Sequence, residues 1–387
     1  MNFSVTSANM AISHLKIAII HDTLIDFGGG EKVLRALIGI FPSADVYTSY
    51  VNKQALYRTN LQFKGELHTS WLQHVPLRFE NKRRLIQILA PFIWLSFNLK
   101  KYDIVITHGG FYFAQFAQLK ANKNAAHIHY CISPAKNVYG YHVLSRLDRI
   151  LNWFWYPILK LVDHHAISSI DCLIAVSQDV KQRIKETYGR NAQVVYPLTE
   201  MFPKSQSWST KKSFCYIGRL SKEKNLKLII DAFNQTGLPL QIVGEGPEGE
   251  KLKKIAHANI SFTGYQDKRN ITQIILSSYA SIHAAVADDF PLSLIESLAL
   301  GTPVIALQSG GAQEMIIPHR TGLFFVDQSS QSLIEALRLF QQQKWSHKNC
   351  RLQADSFCQL SFNRRFHSVV VSEYGKISSQ YVNLPKH

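Results

Sequence analysis

Short apolar runs rich in β-branched residues alternate with helical patterns along nearly the whole chain, and that rhythm restricts the fold more than any other feature. Ile17 to Ile20, Val46 to Tyr50, Ile104 to Thr107, His127 to Cys131, Leu173 to Ser177 and Val194 to Tyr196 read as buried strands. Glu31 to Ile40 and Gln178 to Tyr188 read as helices between some of them. Continuous rather than alternating apolar strands, separated by helices, predict parallel sheets with crossover connections. Pro197 to Lys212 breaks the rhythm with two prolines and several Ser and Thr, and predicts a linker. The pattern then restarts with strands near Phe214, Leu240, Ile260, Ser281, Val304 and Gly322 and helices near Leu226, Glu248, Ile271, Leu292 and Gln331. A chain of 387 residues exceeds what one core supports. The expected organisation is therefore α/β, with a first doubly wound domain over 1–198, a second over 199–360, and a helical segment over 361–387. Such sheets bind ligands at the carboxyl ends of their strands, so two halves facing each other would enclose a cleft.

Charge narrows the partners. Lys and Arg number 43 against 27 Asp and Glu, a net +16, and residues 51–150 hold 14 basic and 4 acidic side chains, or +10. Something anionic is implied. No Lys- or Arg-rich tract of nucleic-acid type accompanies the excess, which argues against nucleic acid. With 46% hydrophobic and 18% charged residues, a disordered chain is excluded. Five scattered cysteines without CxxC or zinc spacing fit free thiols and predict no metal site. The apolar stretch Ile17 to Ile20 is closed at once by His21-Asp22, so no signal peptide is expected, and no run reaches the roughly 20 residues of a spanning helix.

Several segments could carry chemistry. Gly28-Gly29-Gly30 lies between the first strand and a helix, where open backbone N–H groups and the helix dipole suit a phosphate, although a plain βα turn fits too. Gly244-Glu245-Gly246-Pro247-Glu248-Gly249 formally matches GxGxxG. It falls on the second strand of its half, and Glu245 and Glu248 would repel pyrophosphate, so a dinucleotide is not expected. Arg219 and Lys224, in Gly218-Arg219-Leu220-Ser221-Lys222-Glu223-Lys224-Asn225, follow the first strand of the second half and could neutralise a diphosphate. Downstream, Asp288 stands in a loop and Glu296 in the following helix, where carboxylates can hold vicinal hydroxyls, and Gly310-Gly311-Ala312-Gln313-Glu314 forms another glycine turn.

In that order, GRLxxxKN, VGEGP, Asp-x7-Glu with ALGTPVIA, and GGAQE resemble the glycosyl transferases group 1 domain of family 4 retaining glycosyltransferases. HDTLIDFGGGEKVLRAL, YDIVIT, HYCISP and IAVSQDVKQRIKETYG resemble a bacterial polysaccharide mannosyltransferase-like branch. The resemblance runs from about Lys16 to Phe340. It implies the GT-B fold, two Rossmann-like domains facing across an interdomain cleft, with 361–387 returning to the first half. It also implies transfer of a hexose, mannose as first guess, from a GDP- or UDP-linked donor with retention, no metal ion and no cofactor. By resemblance, Arg219 and Lys224 stabilise the leaving diphosphate, Glu296 holds ribose and Asp288 the donor sugar. Gly29 and Gly30 approach the phosphates, and Gly218, Gly244, Gly246, Leu292, Ser293 and Glu314 line the donor site.

Departures accompany the matches. Asp288 is one methylene shorter than the usual Glu, Pro291 replaces a common glycine, and Ile132 and Lys136 stand where the related branch has His and Arg. His108, His127 or His129, with Lys136, would then serve the acceptor side. Trp71, Phe79, Phe92, Trp94 and Phe97 interleave with Arg78, Lys82, Arg83, Arg84, Lys100 and Lys101, which suits an interfacial helix on an anionic membrane as well as a buried helix with solvated ends. Ile150 to Ile158 is a second such segment. The expected protein is a cytoplasmic glycosyltransferase at the inner membrane face, acting on a glycan or lipid-linked acceptor in surface polysaccharide synthesis. The alternative is a catalytically weakened nucleotide-sugar-binding scaffold subunit.

Overall fold

A computed structural model describes residues 14–25, 29–52, 56, 61–62, 64–76, 86–110, 112–140, 153, 155–199 and 212–382. The chain forms two compact units: residues up to Pro197 together with those from Phe362 onward, and Leu198–Ser361.

In the first unit seven parallel strands form one sheet: β1 (Ile17–His21), β2 (Asp45–Thr48), β3 (Leu67–Thr69), β4 (Ile104–Gly109), β5 (Ala126–Cys131), β6 (Cys172–Ala175) and β7 (Gln193–Val194). Their spatial order is β3-β2-β1-β4-β5-β6-β7. In the second unit β8 (Ser213–Ile217), β9 (Leu240–Val243), β10 (Ile260–Gly264), β11 (Ser278–His283), β12 (Val304–Leu307) and β13 (Gly322–Phe325) lie in the order β10-β9-β8-β11-β12-β13. Each sheet thus reverses direction once, beside its first strand, between β1 and β4 and between β8 and β11. Crossovers diverge there and leave a crevice at the strands' carboxyl ends.

Local signals explain most elements. Residues of β1, β4 and β5 are all buried, as expected of strands covered on both faces. Helix Gln178–Tyr188 is opened by Ser177, whose Oγ accepts from the Val180 N–H, and closed by Gly189 in the left-handed region. In the second core Phe214 meets Phe233 and Phe340 edge to face, with ring centroids 5.5 and 5.9 Å apart. Helix Gln359–Val382 places Phe362, Phe366, Val370 and Glu373 on a buried stripe, and the rings of Phe362 and Phe366 pack on Tyr130 of β5.

Some details differ from the sequence reading. β3 carries no apolar run; it is a half-buried three-residue strand at the sheet edge. β11 starts at Ser278, ahead of the apolar run, because Ser278 and Ser281 pair with β8. The described part of Trp71 to Lys101 is not one amphipathic helix. It comprises a 3-10 turn over Trp71–His74 and a short helix over Ala90–Trp94. Trp94 is fully buried, its indole N–H donating to the Tyr112 carbonyl, and Phe97 is buried too, so neither faces solvent. Arg78, Phe79, Lys82, Arg83, Arg84, most of the linker and much of Ile150 to Ile158 lie outside the described residues. None of the five cysteines forms a disulfide. Among the described residues no helix is long and apolar enough to cross a membrane.

Candidate active site

The crevice where β8 and β11 diverge collects charge. β8 ends at Ile217 and leads into Gly218-Arg219, while β11 ends at His283 and runs through a loop carrying Asp288 into the helix Leu292–Ala299. Lys224 closes a 3-10 turn over Lys222–Lys224, followed by Asn225 with φ +52°. Its ammonium donates to Asp288 Oδ2 at 2.5 Å, and His283 Nε2 lies 3.3 Å from the same oxygen. Burial alone would favour the neutral acid, but the Lys224 ammonium and His283 outweigh it and hold the Asp288 carboxyl well below the usual carboxylate range. Asp288 therefore stays ionised, and the shorter carboxylate still reaches its lysine.

The glycines that frame this cluster pack backbone on backbone. A Cβ on Gly244 would sit 2.0 Å from the Gly218 carbonyl oxygen, and one on Gly246 2.4 Å from that of Leu220. Leu220 N–H donates to the Glu245 carbonyl at 2.9 Å, and Glu248 N–H to that of Leu220 at 3.0 Å. The GxGxxG match thus reflects one loop lying on another. On the other side, Gly310 has φ +57°, and its Cβ would meet the Asp288 carbonyl oxygen at 2.4 Å. The Gly311 N–H donates to that carbonyl at 2.8 Å. The GGAQE turn therefore clasps the loop that bears Asp288.

Arg219 is exposed beside this cluster, and its guanidinium makes no hydrogen bond or ion pair among the described residues. Leu292 and Ser293 form the first turn of helix Leu292–Ala299, whose N–H groups lack intrahelical acceptors, and Glu296 is half-buried one turn on. Glu314 is half-buried in the short helix Ala312–Met315. Lys224, Asp288, Gly218, Gly244 and Gly310 are thus brought together directly. His283 was not anticipated; a histidine ending an otherwise apolar strand was the available signal.

The first unit has its own crevice, between β1 and β4. His21 and His108 are cross-strand neighbours there, with Gly29 and Gly30 opening helix Gly29–Ile40 beside them. The Asp22 carboxylate accepts from the Gly110 and Ala114 N–H groups at 2.9 and 3.0 Å and so shapes the loop after β4. His129 is buried, with Nδ1 2.8 Å from Thr107 Oγ1, and burial pulls its pKa down to about 4. His127 faces the backbone carbonyls of Asn122 and Ser169 at 3.0 and 3.3 Å, a structural role. Lys136 begins the short helix Lys136–Tyr139.

The ionised Asp288 has a consequence for stability. Its pKa is depressed on folding, so its contribution is present above the ordinary value of 3.8 and is lost as pH falls toward the lower folded value. Asp288→Asn is expected to unfold at lower temperature than wild type at neutral pH, with the gap shrinking below about pH 4. Melting curves from pH 7 to 3 test this, and a constant gap contradicts it.

Comparison with known proteins bears on the family and the fold. Residues 199–356 match the family described as glycosyl transferases group 1, and residues 27–198 match glycosyltransferase family 4. An uncharacterized glycosyltransferase of Methanocaldococcus jannaschii is 25% identical over 75% of this chain and 78% of that protein. A GDP-mannose-dependent alpha-mannosyltransferase of Mycobacterium tuberculosis is 28% identical over 44% of this chain and 46% of that protein. Among solved structures, Anabaena HepE in complex with UDP and glucose superposes with a TM-score of 0.67 at 16% identity, covering 93% of this chain and all of that one. Two Rossmann-like sheets in the order described, matched along their length by these two families, make the chain a GT-B glycosyltransferase of family 4 with a group 1 second domain.

Proposed function

We propose that this glycosyltransferase moves a hexose, with mannose the first candidate, from a GDP- or UDP-linked donor to a glycan or lipid-linked acceptor in bacterial surface polysaccharide synthesis, retaining the anomeric configuration and using no metal ion. The observation that carries this reading is the Lys224–Asp288–His283 cluster with exposed Arg219 at the β8/β11 crevice. A departing nucleoside diphosphate develops negative charge, and a preplaced ammonium and guanidinium are suited to meet it in the transition state. Arg219 supplies a planar fork and Lys224 a point charge. Lys224 is neutralised by Asp288 in the free protein, so an arriving diphosphate competes for it, and Asp288 is released toward the donor sugar. Glu296 holds the ribose hydroxyls, and Leu292, Ser293 and Glu314 border the same ligand. The mycobacterial relative's GDP-mannose dependence supports mannose, and the HepE complex with UDP supports a nucleotide in this fold.

The reading extends to an anionic membrane surface at the cytoplasmic face. Trp71, Phe92, Trp153, Ile158 and Leu161 are exposed on the first unit, with Phe92 62% and Leu161 72% accessible. Lys100 and Lys160 are exposed as well, on the half of the chain with the basic excess. Apolar anchors beside cations suit an anionic headgroup layer. Phe92→Asp is expected to reduce binding to vesicles containing phosphatidylglycerol by about 10-fold, given roughly 1 to 3 kcal/mol for one buried aromatic. Equal sedimentation of variant and wild type would remove the membrane from the proposal.

The decisive experiment incubates the purified chain with labelled GDP-mannose, UDP-glucose and isoprenoid-linked acceptors, and measures thermal shifts with GDP, UDP and ADP. A nucleotide at 100 times its Kd is expected to raise stability by about 2.7 kcal/mol. Absence of both transfer and stabilisation sinks the proposal. Stabilisation without transfer would leave the scaffold reading.

A further inference from the structure

A pair of buried imidazoles occupies the β1/β4 crevice, one of them His108, a candidate for the acceptor side. His21 closes β1, His108 lies directly across from it on β4, and their rings stack with centroids 5.0 Å apart and planes 13° from parallel. The two Nδ1 atoms are 2.9 Å apart. Two nitrogens at that distance share one proton, so in a neutral pair one ring is protonated on Nδ1 and the other on Nε2. Burial, then the neighbouring His21 and His129, hold the His108 pKa well below its ordinary value, so His108 is neutral at physiological pH.

Glu31 breaks the symmetry. Its Oε1 lies 3.8 Å from His21 Nε2, and a carboxylate at that distance favours the proton on the nitrogen that faces it. His21 is then the Nε2–H tautomer, its Nδ1 accepts from His108 Nδ1–H, and His108 Nε2 is left as a lone pair. That nitrogen is buried and has no hydrogen-bond partner among the described residues. A lone-pair nitrogen of this kind requires a donor, and burying it without one costs about 1 to 3 kcal/mol.

Two further observations say where the donor enters. A Cβ on Gly30 would stand 3.5 Å from His21 Cε1, 3.9 Å from His108 Cε1 and 3.8 Å from Ile132 Cδ1. No contact there is too short for alanine. Glycine at this position therefore leaves uncovered the imidazole edges that a methyl group would cover. The same spot adjoins Ile132, the position at which the resembling branch carries a histidine.

We propose that His21 and Glu31 fix the tautomer of His108, and that His108 Nε2 accepts a hydrogen bond from a carbohydrate hydroxyl entering beside Gly30, in place of the histidine absent at Ile132. His108 is the binding group, and His21 and Glu31 are positioning residues acting through it. The inference rests on the glycosyltransferase reading for its ligand class. The tautomer stands independently of it.

The test labels the full chain with 15N-histidine and reads protonation of each ring nitrogen by long-range proton–nitrogen correlation, with His108 assigned from His108→Gln. His108 is expected to carry its proton on Nδ1, and Glu31→Gln is expected to shift the pair toward the opposite tautomer. Methyl α-D-mannopyranoside and GDP-mannose are added separately. A shift of His108 Nε2 with the first identifies an acceptor hydroxyl, and a shift only with the second identifies the donor sugar. A proton on His108 Nε2 in wild type, or no response to either probe, overturns the proposal. In activity, His108→Ala is expected to lower kcat about 100-fold with the nucleotide thermal shift unchanged, and added Ile132→His to recover at least about 10-fold. A merely structural histidine would show no such rescue. Should wild type transfer no sugar to any acceptor, the proposed function falls, while the tautomer and probe titration still decide this inference.

Discussion

Lys224→Ala is expected to lower sugar transfer by at least about 100-fold, the size of loss that follows removal of one group aimed at developing transition-state charge. The lysine sits at the carboxyl ends of β8 and β11 and holds Asp288 at 2.5 Å. Removing it deletes the cation and leaves the Asp288 carboxylate without its ammonium partner at the place proposed for the departing diphosphate. Both effects act more strongly as charge accumulates, so the loss should fall chiefly on kcat, with a smaller change in nucleotide affinity. Lys224→Arg restores charge without the geometry of the ammonium and is expected to recover only part of the rate. A loss below about 5-fold for Lys224→Ala would show that the leaving group is stabilised elsewhere, with exposed Arg219 the next residue to examine.

Gly244→Ala is expected to have the largest effect on stability. Gly244 has φ +126°, which an L side chain rarely adopts, and the added Cβ would lie 2.0 Å from the Gly218 carbonyl oxygen, a backbone atom that no rotamer change can move aside. Strain of this kind together with overpacking costs roughly 2 to 4 kcal/mol. Differential scanning calorimetry should show a fall of about 5 to 10 °C in the Tm of the second unit. Since the Gly218-Arg219 loop is what moves, catalysis should suffer as well. A variant melting within about 2 °C of wild type would show that the two loops separate easily. The interlocking account of the GxGxxG segment would then fail.

The doubly wound pattern is legible because strands covered on both faces are apolar along their length, as in β12 and in β1 up to its closing His21, while the helices between them keep a polar side. Where that pressure is absent, the signal disappears. β3 is half-buried at a sheet edge and reads as loop, and β7 pairs over two residues only. In Trp71 to Lys101 the aromatic content fits an interfacial helix and a buried one equally; Trp94 is buried, and the Tyr112 carbonyl receives its indole N–H. Composition does not reveal such a partner 18 residues away.

The chemistry divides in the same way. Arg219, Lys224 and Glu296 stand out in the sequence through the resemblance of their segments to family motifs, each near a strand end or helix start. Their association does not. Lys224 and Asp288 are separated by 64 residues, and His21 and His108 by 87. Local sequence determines which segments are strands and helices, because burial and dihedral preference act within a few residues. Tertiary structure decides which strand lies beside β1 or β8. That choice follows from parallel crossovers and register, and it alone joins Lys224 to Asp288 and sets His21 against His108.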